Sequence, residues 1–173
     1  VKKNKLKTVL QKKPRGTADA VKIAIKSKSI KNNNKILILC GDVPFISSKS
    51  LKAIIKKTND NDICLGTTLL ENPSGYGRIV RQNNNIIKIV EEKDANNKIK
   101  KINEVNTGIL CIKEGVLRKY IQKIKNNNKQ KEYYLTDLVS LLSESKKKIT
   151  SYKISNELET MGINSKKDLV KLE

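Results

Sequence analysis

The sequence predicts an α/β fold: a mixed sheet with helices packed on it and an antiparallel β extension. Three observations predict it. The first part of the chain alternates apolar strand-like runs with segments of helical periodicity. The middle places two β-rich runs around an Asn-rich turn, and the last part supplies a strand, two amphipathic helices and a late strand. At 173 residues the chain can form one domain with its own core, or most of a larger one.

In order, "LKTVLQ" reads as a short strand, followed by a turn at Pro14 to Gly16. "TADAVKIAIKS" reads as a helix with Ala20, Val21, Ala24 and Ile25 on one side. "KILILC" is a continuous apolar run of strand length, the pattern of a strand covered on both faces. Ser47 or Ser48 is placed to cap the next helix, in which Leu51, Ile54 and Ile55 follow i, i+3, i+4 spacing. "DICLGTTLL" is strand-like, and "GYGRIVRQNNNIIKIVEEKD" is a hairpin signal. "EVNTGILCI" gives a further strand. A helix from about Glu114 to Lys125 follows, with Val116, Leu117, Tyr120, Ile121 and Ile124 inward, then a second amphipathic helix in "YYLTDLVSLLSES" and a strand in "KITSYKI". There is no internal repeat, and the Asn runs beginning at Asn32, Asn83 and Asn126 read as loop tips.

The formal charge of +20 raises the question of a nucleic-acid partner. Distribution argues against one. Only Arg15, Arg78, Arg81 and Arg118 are arginines, the lysines are spread along the whole chain, and with five Tyr, one Phe and no Trp a base-stacking platform is poorly supplied. A general bias toward Lys and Asn accounts for the charge, so neither nucleic acid nor membrane is a predicted partner. A basic nucleic-acid-binding fragment without catalysis stands as the alternative from another class. Cys40, Cys64 and Cys111 lie in apolar runs without Cys-x-x-Cys spacing, which predicts reduced, buried thiols and a cytoplasmic setting. The absence of histidine removes imidazole acid/base chemistry from this sequence.

The most informative stretch is "KILILCGDVPF", where an aliphatic run stops at Gly-Asp and turns on a proline. Open α/β sheets bind ligands beyond the carboxyl ends of their strands, and Asp42 falls at such an end. On its own it fits a metal or substrate ligand as well as a turn or helix-capping residue.

Seven motifs in fixed order add to it: "VLQKKPRGTADA", "LCGDVPFIS", "NPSGYGRIV", "IVEEKDA", "EVNTGIL", "KEYYLTDLV" and "ETMGINSKKDL". Together, from Val9 to Leu172, they resemble the uridylyltransferase domain of the bacterial bifunctional N-acetylglucosamine-1-phosphate uridyltransferase/glucosamine-1-phosphate acetyltransferase (GlmU) family. The resemblance implies a Rossmann-like nucleotidyltransferase fold that makes UDP-GlcNAc and pyrophosphate from UTP and N-acetylglucosamine-1-phosphate, with Mg²⁺ as cofactor. The product feeds peptidoglycan and lipopolysaccharide synthesis. The chain begins with Val1 and ends inside the helix-like "SKKDLVKLE". Beside the resemblance, this predicts an internal fragment: residues 1–164 a partial uridylyltransferase domain lacking its N-terminal glycine-rich loop, and 165–173 the start of a linker helix toward a left-handed β-helix that carries the acetyltransferase and the family's trimer contacts. The fragment itself is then expected to be monomeric.

Carried over by motif, the resemblance makes Asp42 and Asn164 the metal ligands. Gln11, Gly16 and Thr17 become the uridine segment; an amide can pair with a uracil edge, and glycine lets a base lie on the backbone. Gly77, Glu91 and Asn106 become sugar contacts, with Tyr134 and Thr136 lining the acetamido side. Taken singly, each has an ordinary alternative: a helix cap for Asn164 and Thr17, a solvated strand end for Glu91, a turn for Asn106, a helix start for Tyr134 and Thr136. Ala18 and Asp19 depart from the Gly and His found in many relatives. A sugar-1-phosphate nucleotidyltransferase using glucose-1-phosphate with UTP or dTTP is the alternative within the same enzyme class.

Overall fold

The computed structural model describes residues 7–26 and 35–162. Helix α1 (Thr17–Lys26) is followed by β1 (Lys35–Ile38), α2 (Ser48–Lys57) and β2 (Ile63–Leu69). The hairpin β3 (Arg78–Gln82) and β4 (Asn85–Val90), a single turn α3 (Asn97–Lys100) and β5 (Glu104–Lys113) come next. Helix α4 (Glu114–Tyr120) tightens into a 3-10 turn at Ile121–Lys123, and α5 (Asp137–Glu144) and β6 (Ile149–Lys153) complete the layers.

The sheet runs β4-β3-β5-β2-β6, with β1 on β5 as well. Strand β5 is its spine. One edge carries β2, in register Ile63 with Ile112 and Leu69 with Glu104. The other edge carries β1 beside residues 110–113 and Arg78 of β3 beside Val105. Among the described residues only β2 with β6 is parallel. The predicted mixed α/β sheet is therefore found, but most of its pairs are antiparallel.

Strand alternation splits the core into two layers. Ile63, Leu65, Leu110 and Ile112 face α1, α4 and α5, joining Ile25, Leu117, Leu138 and Leu142. Cys64, Ile109 and Cys111 face the other way, onto Ile54 of α2. Each fully buried aliphatic side chain contributes roughly 1.5–3 kcal/mol, so the two faces together supply the main drive for folding. The predicted cap is Ser47, whose Oγ accepts from Ser50 N at 3.1 Å.

Several sequence expectations are corrected. Residues 7–11 form no strand. Strand β1 stops at Ile38, is half-buried rather than covered, and leaves Leu39 and Cys40 exposed, because among the described residues it pairs with β5 alone. Cys64 and Cys111 are buried free thiols; Cys40 is not. Helix α1 turns Ala18 inward with Ile25, because Ala18 N is bonded to Tyr133 O at 2.9 Å, which fixes the helix's rotation. Ile55 of α2 stays exposed. The helix predicted to reach Lys125 ends early, and the 3-10 turn puts Ile121 and Ile124, three apart, on the same buried side.

The hairpin turns through Asn83 and Asn84, both with positive φ (48° and 66°), as a two-residue turn between twisted strands requires. Lys131 also sits in the left-handed region, at φ 58°, where a Cβ is disfavoured. Replacing Lys131 with glycine relieves that cost and adds unfolded-state entropy, for a net gain of about 0.5–1 kcal/mol. The measurement is urea unfolding, in which the midpoint rises while the slope stays unchanged.

Candidate nucleotide-sugar site

Residues brought together by β5 and the hairpin form the first part of the site. Gly77 is buried at the entry to β3, and its carbonyl accepts from Asn106 N at 2.8 Å. A Cβ on Gly77 would lie 3.0 Å from Ile89 Cγ2 and 3.2 Å from Glu91 Oε2, so any larger residue there would press on both side chains. Glu91 follows the last residue of β4, and its Oε1 accepts from Thr136 Oγ1 at 2.7 Å. Thr136 stands at the N-cap position of α5, but its hydroxyl makes no cap bond, being committed to Glu91. Asn106 lies within β5 opposite Thr67, in a strand rather than a turn.

Tyr134 is buried beside this cluster, and its hydroxyl donates to Gln130 Oε1 at 2.8 Å. Burial, then the neighbouring Asp94 and Glu91, push its phenol up to about 12. A cleft of about 230 Å³ opens here, lined in part by Glu91, Asp94, Tyr134 and Asp137. Asp137, in the first turn of α5, is pushed up to about 6 by burial and then by Glu91 and Asp94. The loop ahead of α5 is fastened to the same place: Lys129 N donates to Asp94 Oδ1 at 3.0 Å.

Gln11, Gly16 and Thr17 form the second part. Gly16 has φ 110°, and a Cβ there would stand 2.6 Å from Tyr133 O. Tyr133 N donates to Arg15 O at 2.8 Å, and Thr17 Oγ1 accepts from Leu135 N at 3.0 Å. The hydroxyl of Thr17 thus reaches across to the "YYLT" segment instead of capping α1. Gln11 Nε2 donates to Asp19 Oδ2 at 2.8 Å.

Asp42 lies in the exposed turn after β1. Its neighbour Cys40 packs under Gly108, with Sγ 3.7 Å from the Gly108 carbonyl. Cys40 is exposed as a residue, but its sulfur is tucked under Gly108, and the thiol is pushed up by that partial burial, then by Asp42 and Glu91. Asn164 lies outside the described residues. Sequence reasoning left two features unassigned. Arg78 is 1 % exposed and pairs through Nη2 with Glu92 Oε2 at 2.6 Å, tying the "GYGR" turn to the "EEKD" segment. Asp137 sits inside the quoted "EYYLTD" motif, where its acidity was the available signal.

A family model described as nucleotidyl transferase matches residues 2–157. The chain belongs to the nucleotidyl transferase family. Similar curated proteins include the bifunctional protein GlmU of Vesicomyosocius okutanii subsp. Calyptogena okutanii (strain HA), 44% identical over 165 residues, and that of Francisella tularensis subsp. novicida (strain U112), 42% identical over 166. In both cases 95% of this chain is aligned, and it spans 36% of the relative's length. Among solved structures, a nucleoside-diphosphate-sugar pyrophosphorylase from Vibrio cholerae RC9 superposes with a TM-score of 0.69 at 14% identity, over 94% of this chain and 66% of that one. The nucleotide-sugar pyrophosphorylase fold is thereby shown, as a mixed α/β sheet in which antiparallel pairs predominate. Among the described residues, no helix of this nucleotidyl transferase family member is long and apolar enough to cross a membrane.

The raised Asp137 has a consequence for stability. Its folded value, about 6, exceeds the ordinary 3.8, so the folded chain holds a proton there that the unfolded chain has already lost. That contribution is fully present below pH 3.8 and disappears as pH rises through 6. Asp137→Asn should therefore melt higher than the parent at pH 7.5 and level with it near the bottom of this window. Thermal melts at several pH values check this.

Proposed function

We propose that this chain forms the nucleotide-sugar part of an enzyme transferring the uridylyl group of UTP to N-acetylglucosamine-1-phosphate, releasing pyrophosphate. The observation carrying the reading is the Thr136 to Glu91 hydrogen bond of 2.7 Å, closed beside Gly77 and Asn106. Four residues far apart in sequence thereby meet at one polar, glycine-floored place. Glu91 keeps acceptor capacity for sugar hydroxyls, and the Asn106 side chain has both donors and an acceptor to offer. Gly77 admits a ring close to the backbone. Buried Tyr134 gives the acetamido side an apolar wall.

The resemblance also implies Mg²⁺. Asp42 offers a hard carboxylate oxygen at an exposed turn, and Asn164 is the second ligand that the motif suggests. This donor set fits Mg²⁺, which commonly takes one or two protein oxygens and completes its shell with phosphate and water. When bound, the ion supplies charge neutralisation at phosphate oxygens. The chain's own part is alignment: the Gln11 to Thr17 segment holds the base, and the Gly77, Glu91 and Asn106 cluster holds the sugar, so that the sugar phosphate lies in line with the α-phosphorus. This reading places the enzyme in the cytoplasm, where its substrates are made.

Calorimetric titration of UDP-GlcNAc with Mg²⁺ into the full-length protein tests the proposal. Saturable binding is expected, weakened at least roughly tenfold by Asp42→Ala in the presence of Mg²⁺. Glu91→Ala should weaken UDP-GlcNAc while leaving UDP nearly unchanged. A folded protein that ignores UDP-GlcNAc, or takes UDP-glucose equally well, overturns the assignment to N-acetylglucosamine.

A further inference from the structure

The side-chain amide of Gln11 is held from two directions. Its Nε2 donates to Asp19 Oδ2 at 2.8 Å and, more loosely, to Gly16 O at 3.4 Å. An ionised carboxylate and a backbone carbonyl have no hydrogen to give, so the NH₂ end of the amide must face them. The amide owns two N–H hydrogens and both are engaged. What remains is Oε1, a lone acceptor on the opposite arm of the amide.

The frame around it is rigid. Gly16 O also accepts from Ala20 N at 3.2 Å, closing the first turn of α1. Gly16 itself cannot shift toward Tyr133, because the space its missing Cβ would occupy is already taken by the Tyr133 backbone. Asp19 stands in that same first helical turn. The charge on Asp19 makes its bond to the amide the stronger of the two.

We propose that Asp19 is a positioning residue that locks the Gln11 amide with its oxygen outward, so that this side chain offers a nucleobase an acceptor and no donor. The proposal rests on the reading of Gln11 to Thr17 as the base-binding segment. Uracil carries an N3–H donor between two carbonyls and meets an acceptor well. Cytosine has a bare N3 lone pair, which the same oxygen repels when it faces the N3 position. Free to turn over, the amide would serve either base, since one of its ends suits each. The helix-turn carboxylate thus converts an ambidextrous side chain into a one-sided reader, and a polar site that leaves a group unpaired is where discrimination is largest.

Asp19 has a competing role, since a carboxylate in the first turn also stabilises a helix through its dipole. That role acts on folding and is blind to the base. The test titrates UDP and CDP, each with Mg²⁺, into the full-length protein and its Asp19→Asn, Asp19→Ala and Gln11→Ala variants, with thermal melts alongside. Asp19→Asn is nearly isosteric, and its own amide can present either end to Gln11. A preference for UDP is expected in the parent, narrowed about tenfold in both Asp19 variants, the loss expected for one oriented hydrogen bond. Gln11→Ala should narrow it equally. An unchanged UDP/CDP ratio in the Asp19 variants, with Gln11→Ala still narrowing it, overturns the proposal and leaves the base-binding segment standing. Equal weakening of UDP and CDP together with a lowered melting temperature assigns Asp19 to helix stability, which also overturns it. A folded parent protein that binds neither nucleotide overturns both readings.

Discussion

Strand β5 is paired along both of its edges, and the candidate site depends on that constraint. A strand with two partners along its length cannot slide or twist independently, so it acts as a fixed ruler for whatever is bonded to it. On one edge it fixes Gly77 through the Asn106 amide. Further along that edge Gly108, at φ 75°, leaves room where a Cβ would stand 2.4 Å from Cys40 Sγ. Cys40, two residues past β1, packs into the space that glycine leaves there, and the turn bearing Asp42 follows directly. The register of one strand therefore sets the spacing between the turn that follows β1 and the cluster of Gly77, Glu91 and Asn106.

The electrostatics of the site run against those of the chain. In a protein of net charge +20, Glu91, Asp94 and Asp137 gather around a buried Tyr134. Burial, and after it the charges of Glu91 and Asp94, raises both Asp137 and Tyr134. Close by, the arrangement is reversed: the Arg78 hydrogen bond, aided by its charge and that of Lys100, holds Glu92 below the usual carboxylate range. Adjacent glutamates thus have opposite tasks. Glu92 anchors the hairpin to Arg78, whereas Glu91 is left with acceptor capacity beside Thr136. Holding Asp137 ionised among these carboxylates costs stability, and raised acidic groups of this kind concentrate at functional sites.

Local signals made much of the fold legible. The Asn83–Asn84 turn, the Ser47 cap and the long apolar β5 each declare themselves within a few residues. What was not legible depends on distant partners. Rotation of α1 is set by a backbone bond from Ala18 to Tyr133, more than a hundred residues away, so helical periodicity alone placed the wrong alanines inward. Strand β1 reads as fully covered, yet its coverage depends on neighbours other than itself. The grouping of Gly77, Glu91, Asn106 and Thr136 coincides with direct contacts. Motif order carried that grouping, since each residue alone had an ordinary structural explanation. Arg78 shows the reverse limit: an arginine opening a β-rich run gives no sign that it will be almost fully buried.

The bonds between Arg15–Ala18 and Tyr133–Leu135 join the segment read as base-binding to the start of α5, where Thr136 holds Glu91. Two segments joined by two backbone bonds and the Thr17 hydroxyl do not order independently of one another. A ligand that stills the first segment spares a later ligand part of the cost of stilling the second, and thermodynamic linkage makes the saving equal in both directions. On the proposed reading, cooperativity between base and sugar needs no moving lid, only the short seam that Gly16 makes possible.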